Sequence, residues 1–213
     1  MKSGGRAEMT TAKGALRARI GAGLVLALLA TAGAKTAVAD SMIVGRQTSQ
    51  PIGHFEFCKA NPAECAIRPR DTGPMKMTPE LWDRISTVNI EINRAVTPMN
   101  DRDLYGLDEV WTYPVNGKGD CEDYALEKRR ILNSSGISLA NLLITVVRKP
   151  DGEGHAVLAV RSDQGDFILD NLSDVVKPWR ETGYKYLKRQ ASYHTGRWVS
   201  LRVDQNTLVG SVD

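Results

Sequence analysis

The chain has 213 residues, of which 42% are hydrophobic and 25% charged, and its formal net charge is +3. The first 39 residues carry six basic residues and one acidic residue, a net charge of +5, so the 174 residues that follow carry about −2. The basic character therefore belongs to the N-terminal segment, and the composition gives no support to nucleic-acid binding. A length of 174 residues suits one domain with one hydrophobic core.

The N-terminal segment has the three parts of a secretory signal peptide. Basic residues at positions 13–19 precede an apolar run over residues 20–32, and a small-x-small motif at 37–39 marks a cleavage site before Asp40. An uncleaved membrane anchor is the alternative, but the run is shorter than the roughly 20 apolar residues that a spanning helix needs. We predict a periplasmic protein with these parts: a signal peptide over 1–39 and a single domain over 40–213.

Three cysteines remain in the exported chain. Cys58 and Cys65 lie close together, and an oxidising compartment predicts a disulfide between them. Cys121 is then a free thiol, which is either a nucleophile or a buried structural residue. A metal site built from Cys58, Cys65 and His54 is a weaker alternative, because the sequence has no second pair of closely spaced cysteines.

Two helices are predicted in the first part of the chain. Residues 40–77 contain four prolines and are predicted to be an irregular lead-in. Thr78 is a good N-cap and Pro79 a good first helical residue, and apolar residues recur at spacings of three and four after them. The predicted segments are a helix from Pro79 to about Val96, mainly loop over 97–118, and a helix from Cys121 to about Ser135.

The second part of the chain has the patterns of strands. Runs of β-branched and other apolar residues predict four strands, over 142–147, 155–161, 166–171 and 198–203. Helices followed by an antiparallel sheet define an α+β fold, with the N-terminal helices packed on the sheet. We see no internal repeat and no second domain in this pattern.

The hairpin of the two middle strands places a histidine beside an aspartate. If residues 163–164 form a two-residue loop, Asp170 lies opposite Val157. His155 and Val157 point to the same face because strand side chains alternate. His155 and Asp170 are then diagonal neighbours, with Cβ atoms about 7–8 Å apart or less. The sequence therefore predicts that the Asp170 carboxylate reaches the His155 imidazole.

These residues predict a cysteine hydrolase. Cys121 lies in the first turn of a helix, where exposed amides and the helix dipole favour a thiolate. Cys121 would attack a carbonyl, His155 would exchange the proton, Asp170 or Asn171 would orient the imidazole, and amides at the helix start would hold the oxyanion. Without these roles, His155 would be an exposed residue at a strand start and Asp170 a strand-end cap. The other two histidines are predicted to be surface or loop residues: His54 and His194.

Three acidic residues surround the cysteine: Asp120, Glu122 and Asp123. Their charges should raise the pKa of the thiol and oppose the effect of the helix end. Helix capping and pairing with the dipole, worth about 0.3–1 kcal/mol each, is the simpler explanation of their position. A bound hard cation such as Ca²⁺ is the alternative, because such ions prefer clustered carboxylate oxygens.

Three motifs follow one another along the chain: GDCEDYA at 119–125, GHAVL at 154–158 and LDN at 169–171. In this order they resemble the bacterial transglutaminase-like cysteine peptidases, which include the LapG-type periplasmic proteases that release biofilm adhesins. The resemblance spans roughly residues 52–203. It implies a papain/transglutaminase-like fold in which Cys121, His155 and Asp170 form the catalytic triad.

The resemblance also implies a cofactor and partners. LapG-type members bind calcium through acidic residues beside the nucleophile, which implies Asp120 and Glu122 as ligands here, with Asp123 as a further one. Their substrate is the N-terminal region of a large surface adhesin, cleaved at an alanine-rich site. An inner-membrane cyclic-di-GMP receptor sequesters them. We therefore expect calcium, an exported protein substrate such as an adhesin, and an inner-membrane regulatory receptor.

Three functions are compatible with the sequence. The first is a periplasmic thiol endopeptidase, which the resemblance favours. The second is a transglutaminase-like acyltransferase, because both reactions pass through a thioester and differ only in whether water or an amine resolves it. The third is a non-catalytic interaction module on the same scaffold, against which the complete set of Cys121, His155 and Asp170 argues.

Overall fold

The computed structural model describes residues 40–114 and 116–202. The predicted signal peptide lies outside the described residues, so the division of the chain at residue 39 stays a prediction. Among the described helices, none combines the length and the apolar character needed to cross a membrane.

Helices are concentrated in the first half of the described chain. They are α1 (Ile52–Ala60), α2 (Pro62–Cys65), α3 (Pro79–Ala95), α4 (Asp101–Tyr105) and α5 (Cys121–Ser134). The two long helices, α3 and α5, confirm the two predicted from the sequence. Thr78 caps α3 as expected, since its hydroxyl oxygen accepts a hydrogen bond of 3.2 Å from the backbone N–H of Leu81.

Strands are concentrated in the second half of the described chain, and seven of the strands form one antiparallel sheet. The strands are β1 (Ile43–Thr48), β2 (Thr97–Pro98), β3 (Lys118–Gly119), β4 (Leu142–Arg148), β5 (Gly154–Ser162), β6 (Gly165–Asp170), β7 (Ser173–Pro178), β8 (Lys185–Ala191) and β9 (His194–Arg202). The order in the sheet is β1-β9-β8-β4-β5-β6-β7, and β2 and β3 form a short parallel pair. Helices packed on this sheet confirm the predicted α+β fold.

The central strands are buried on both faces. On β5, Leu158 and Val160 belong to the larger core cluster, to which α3 and α5 contribute. The alternate residues Val157 and Ala159 belong to a second cluster on the opposite face, which includes Trp179. This explains why the middle strands are apolar at nearly every position rather than alternating between apolar and polar residues.

Some elements were not predicted. Residues 40–77 are not an irregular lead-in, because they contain β1, α1 and α2, and the strands β7 and β8 were missed. In β8 the pattern is obscured by polar residues that the fold buries, Arg189 and Gln190. Arg189 is 4% exposed there because its guanidinium lies 2.8 Å from the carboxylate of Asp166, which is also buried. A buried ion pair has no signature in a hydrophobicity pattern.

The predicted disulfide between Cys58 and Cys65 is present, and it joins α1 to α2 with a Cα–Cα distance of 5.5 Å. Both sulfur atoms are engaged in this bond, so they do not form the alternative metal site with His54. The third cysteine, Cys121, is free and half-buried.

The prediction for His54 was wrong. It is a buried residue of α1, 1% exposed, rather than a surface residue. Its Nδ1 accepts a hydrogen bond of 3.2 Å from the indole N–H of Trp198, and its ring also packs edge-to-face against Trp111. Burial and the charge of Arg129 lower its pKa to about 3. His54 is therefore a neutral core residue, whereas His194 is half-buried at the start of β9.

Candidate active site

Cys121 is held where the start of α5 meets β5. The preceding strand β3 is fixed by β2, since the N–H of Met99 donates to the carbonyl of Gly119 at 3.0 Å. The Cys121 Sγ accepts a hydrogen bond of 3.4 Å from the backbone N–H of Ala156, and the thiol donates to Glu122 Oε2 at 3.1 Å. Because Ala156 follows His155, these contacts bring the cysteine next to the histidine of β5.

His155 and Asp170 are paired as the hairpin argument predicts. Ser162 lies opposite Gly165 and Leu158 opposite Leu169, which is the register of a two-residue loop. The Nε2–H of His155 donates to Asp170 Oδ1 at 2.9 Å, and both side chains are buried. Asp170, rather than Asn171, is therefore the partner of the imidazole. The bond leaves Nδ1 as the nitrogen of His155 that can exchange a proton.

The Asp170 carboxylate is kept ionised by its hydrogen bonds. Burial would raise its pKa, but the hydrogen bond and charge of His155, the hydroxyl of Tyr184 and the N–H of Leu172 outweigh this and hold the pKa below its usual value. A charged carboxylate is what the imidazolium form of His155 needs beside it.

Tyr184 is part of this arrangement and was missed from the sequence. Its hydroxyl donates to Asp170 Oδ2 at 2.6 Å, and its ring lies edge-to-face against the His155 ring, with the centroids 5.6 Å apart. No sequence pattern indicates it, because Tyr184 is adjacent to a strand that was not predicted.

Two cavities border the cysteine and the histidine. Both are lined by Cys121, Gly154 and His155. One, of about 460 Å³, is also lined by Met99 and Leu172. The other, of about 270 Å³, is completed by residues that include Trp111, Glu122 and Val146. Cys121 and His155 thus border cavities large enough for peptide side chains.

The electrostatic setting of the thiol differs from the expectation for a helix start. Burial raises the pKa of Cys121 well above its ordinary value, and the neighbouring Glu122 raises it further, while the N–H of Ala156 acts in the opposite direction. The pKa of Glu122 is itself raised, by burial and by the charge of Asp120. The protonated thiol is therefore the favoured form in this environment.

An acidic cluster lies directly behind the cysteine. Asp101, Asp120 and Asp123 each offer one carboxylate oxygen, and these atoms lie within 4.8 Å of one another. Burial first, and the neighbouring carboxylates in addition, raise the pKa of Asp101 to about 6 and that of Asp123 to about 7. The approach of Asp123 requires a glycine at position 119, because a Cβ there would lie 2.6 Å from Asp123 Oδ2.

Of the three residues predicted as metal ligands, two belong to the acidic cluster and one does not. Asp120 and Asp123 lie in the cluster, whereas the Glu122 carboxylate accepts the hydrogen bond of the Cys121 thiol. Asp101, in α4, was missed because its stretch of chain was predicted to be mainly loop. Simple capping does not explain Asp120, whose side chain makes no capping hydrogen bond to α5.

Comparisons with known proteins identify the family and the fold of the chain. The sequence profile of the family described as bacterial transglutaminase-like cysteine proteinase (BTLCP) matches residues 44–206. LapG of Legionella pneumophila is similar in structure, with a TM-score of 0.50 and 25% sequence identity over 63% of this chain and 75% of that chain. The calcium-bound structure of that protein gives a TM-score of 0.50 with 24% identity, over 63% and 77% of the two chains. No curated protein matches.

The family profile covers well over half of the chain. The chain therefore belongs to the bacterial transglutaminase-like cysteine proteinases and is a cysteine peptidase with a transglutaminase-like fold.

Proposed function

We propose that this protein is an exported, calcium-dependent thiol endopeptidase with Cys121, His155 and Asp170 as its catalytic triad. The observation that carries the proposal is the 2.9 Å hydrogen bond between His155 Nε2 and Asp170 Oδ1. The strand of His155, β5, also contacts the free thiol of Cys121 through the N–H of Ala156. A histidine oriented by a carboxylate beside a thiol is the arrangement that nucleophilic acyl transfer requires.

The bonding pattern determines the route of the proton. His155 uses Nε2 for Asp170, so Nδ1 accepts the thiol proton as the sulfur attacks the carbonyl carbon of the substrate. The new S–C bond places a negative charge on the carbonyl oxygen, and we assign the backbone N–H of Cys121, at the first position of α5, to hold it. The imidazolium then protonates the leaving amine as the C–N bond breaks, and water hydrolyses the thioester.

The raised pKa of the thiol fits proton transfer coupled to attack. Burial and Glu122 favour the protonated thiol, which reacts poorly with electrophiles in solution. Proton transfer to His155 creates an imidazolium that the ionised Asp170 stabilises. We propose that the thiol proton moves to His155 as the sulfur attacks the carbonyl carbon, so that no free thiolate accumulates before the attack.

The acidic cluster is our candidate calcium site. Three of its carboxylate oxygens, Asp101 Oδ1, Asp120 Oδ1 and Asp123 Oδ2, are buried without a hydrogen-bond partner. Three clustered carboxylates, each with one unpaired buried oxygen, fit a hard divalent cation, which would neutralise charges that otherwise repel one another. We assign Asp101, Asp120 and Asp123 as the protein ligands, and propose that the ion fixes α4 against the start of α5.

Export and the substrate class rest on three supports. They are the signal sequence predicted over 1–39, the disulfide between Cys58 and Cys65, and the similarity to LapG. We propose a periplasmic location and an exported protein substrate, such as a surface adhesin cleaved at an alanine-rich site. An inner-membrane receptor is the proposed regulator, as in the LapG-type proteases.

A comparison of protein N-termini tests the proposal. Exported and surface proteins are compared by mass spectrometry in cells that carry the wild type, Cys121→Ala, His155→Ala or, as a control, Tyr193→Phe, which changes an exposed tyrosine. We expect a new N-terminus that only the wild type and the control produce. If Cys121→Ala produces the same N-terminus, the endopeptidase proposal is wrong. Peptides cross-linked through an amine, instead of new N-termini, would indicate acyl transfer.

A further inference from the structure

We infer that Tyr184 is a positioning residue of the triad, which fixes the Asp170 carboxylate with its hydroxyl and the plane of the His155 imidazole with its ring. This inference rests on the proposed function and deepens it. It concerns a residue that lies outside the three motifs of the active site, directly before β8.

The first support is that the two oxygens of Asp170 accept hydrogen bonds from different partners. Oδ1 accepts from His155 Nε2 at 2.9 Å and from the N–H of Leu172 at 3.0 Å. Because the terminal torsion of an aspartate is broad, a further bond to the other oxygen narrows the range of carboxylate orientations. The hydroxyl of Tyr184 donates to Oδ2 at 2.6 Å, a short bond to a charged acceptor. Rotation of the carboxylate would break it.

The second support is the contact between the two rings. The Tyr184 and His155 rings are inclined by 75° with centroids 5.6 Å apart, the edge-to-face geometry that aromatic pairs prefer. The imidazole is therefore held at Nε2 by Asp170 and across its ring by Tyr184. One tyrosine thus contacts both members of the histidine–aspartate pair.

The third support is that the chain holds Tyr184 firmly. A short 3-10 turn over Trp179–Thr182 ends at Gly183, whose φ of +74° reverses the chain in a conformation that favours glycine. The N–H of Tyr184 donates to the hydroxyl oxygen of Thr182 at 3.3 Å. The ring packs against the core cluster that contains Val157. From the start of β8, the side chain reaches past β4 and β5 to Asp170 at the end of β6.

The consequence is control of the imidazole tautomer. While Asp170 Oδ1 stays at Nε2, the proton of the neutral imidazole stays on Nε2, and Nδ1 is available as the base. If the carboxylate rotates, the two tautomers mix, and a fraction of the enzyme presents a protonated Nδ1 to the thiol. Loss of the hydroxyl should therefore lower kcat by about tenfold or more, because a wrong tautomer disables the base.

The kinetic test compares Tyr184→Phe with a matched control. Tyr113→Phe removes the same kind of bond, from a tyrosine hydroxyl to the carboxylate of Glu64, in a place that does not contact the triad. With a quenched fluorescent peptide that has an alanine-rich centre as the probe, we expect kcat to fall for Tyr184→Phe while KM stays within about twofold. Tyr113→Phe should keep the wild-type kcat. A kcat that falls equally in both variants would overturn the inference.

The decisive test observes the imidazole itself and needs no substrate. The protein has three histidines, so ¹⁵N-histidine labelling with His155→Ala as the assignment control identifies the His155 signals. We expect one protonated and one unprotonated nitrogen in the wild type and in Tyr113→Phe, and averaged ¹⁵N shifts in Tyr184→Phe. A wild-type pattern in Tyr184→Phe would overturn the inference. Failure of the proposed function is distinguishable, since Cys121→Ala would then leave cleavage unchanged whatever the ¹⁵N shifts show.

Discussion

The side-chain amide of Asn93 donates a hydrogen bond of 2.9 Å to the backbone carbonyl of Asp170, so helix α3 holds the aspartate of the proposed triad from behind. The same amide lies 3.2 Å from the carbonyl of Ser173 and 3.1 Å from the carboxylate of Asp174. Asn89, one turn earlier, donates to the carbonyl of Ser173 at 2.8 Å. The turn between β6 and β7 is thus clamped to α3 by two asparagines.

We predict that Asn93→Ala lowers activity more than stability. The variant removes hydrogen bonds to the turn, and a net loss of about 1 kcal/mol is typical of one such bond. A looser turn displaces Asp170, and small displacements of catalytic groups are costly, so we expect kcat to fall by about tenfold. Thermal unfolding and cleavage of the alanine-rich peptide measure the two effects.

Asn133→Ala is the control for this prediction. Its amide donates to the carbonyl of Ile137 at 2.8 Å, a bond of the same type at the far end of α5. It should cost a comparable amount of stability and leave kcat unchanged. Equal activity in the two variants would show that the clamp by Asn93 is purely structural.

The sequence predicted the centre of the site because that centre depends on local rules. The position of Cys121 follows from a helix start, and the pairing of His155 with Asp170 follows from the alternation of strand side chains and the length of one turn. A hairpin register is a local property, so residues 15 apart could be placed together before any fold was considered.

The rest of the site depends on contacts that no local pattern records. Tyr184 meets Asp170 only because the sheet order places β8 two strands away from β5, and that order is a property of the whole fold. Asp101 meets Asp120 because α4 folds back onto the start of α5. The roles of Tyr184 and Asp101 follow only from the tertiary structure, which brings their oxygen atoms close to those of Asp170 and Asp120.

A pair of isosteric variants can distinguish the acidic residues that bind calcium from those that do not. We predict that calcium raises the melting temperature of the wild type, by an amount equivalent to about 2.7 kcal/mol at a hundredfold excess over the dissociation constant. Asp101→Asn should lose most of this increase, because it removes one of the three charges of the cluster. Glu122→Gln should keep it, because Glu122 bonds to the thiol instead. The opposite result would restore the assignment of Glu122 as a ligand in place of Asp101.

The acidic cluster also predicts how stability depends on pH without calcium. The pKa of Asp101 is raised to about 6 and that of Asp123 to about 7, from an ordinary value of 3.8. Between about pH 4 and 7 the folded state therefore binds more protons than the unfolded state, and the free energy of unfolding falls as pH rises. Calcium-free protein should lose stability across this interval, and calcium should stabilise it more at pH 7.5 than at pH 5.

Urea unfolding of calcium-free protein at several pH values measures this effect. Asp101→Asn/Asp123→Asn is the appropriate comparison, since it lacks both titrating groups and should show a flatter profile. If the wild type and the double variant lose stability in parallel between pH 4 and 7, the cluster does not titrate in the folded protein. The calcium-free state would then tolerate the three charges without a bound ion.

The buried lysine of α5 predicts the opposite dependence at higher pH. Lys128 is 1% exposed, and its Nζ donates to Asn89 Oδ1 at 2.8 Å, next to the clamp on the β6–β7 turn. Burial lowers its pKa from 10.5 to about 7, although Asp170 and Asp174 act to raise it. Below about pH 7 the lysine is charged in both states, and the folded state carries the full cost of burying the charge.

Between about pH 7 and 10.5 Lys128 binds more protons in the unfolded state than in the folded state, so its contribution to the stability of the wild type should rise with pH, by at most about 1.4 kcal/mol per pH unit. Lys128→Met lacks this group, so its free energy of unfolding should rise less with pH than that of the wild type. Lys177→Met changes an exposed lysine of β7 and should follow the wild type. Urea unfolding from pH 6.5 to 9.5 measures the difference between the three proteins. Parallel curves for wild type and Lys128→Met would mean that Lys128 stays charged in the core, held by Asn89 and by the carboxylate of Asp170.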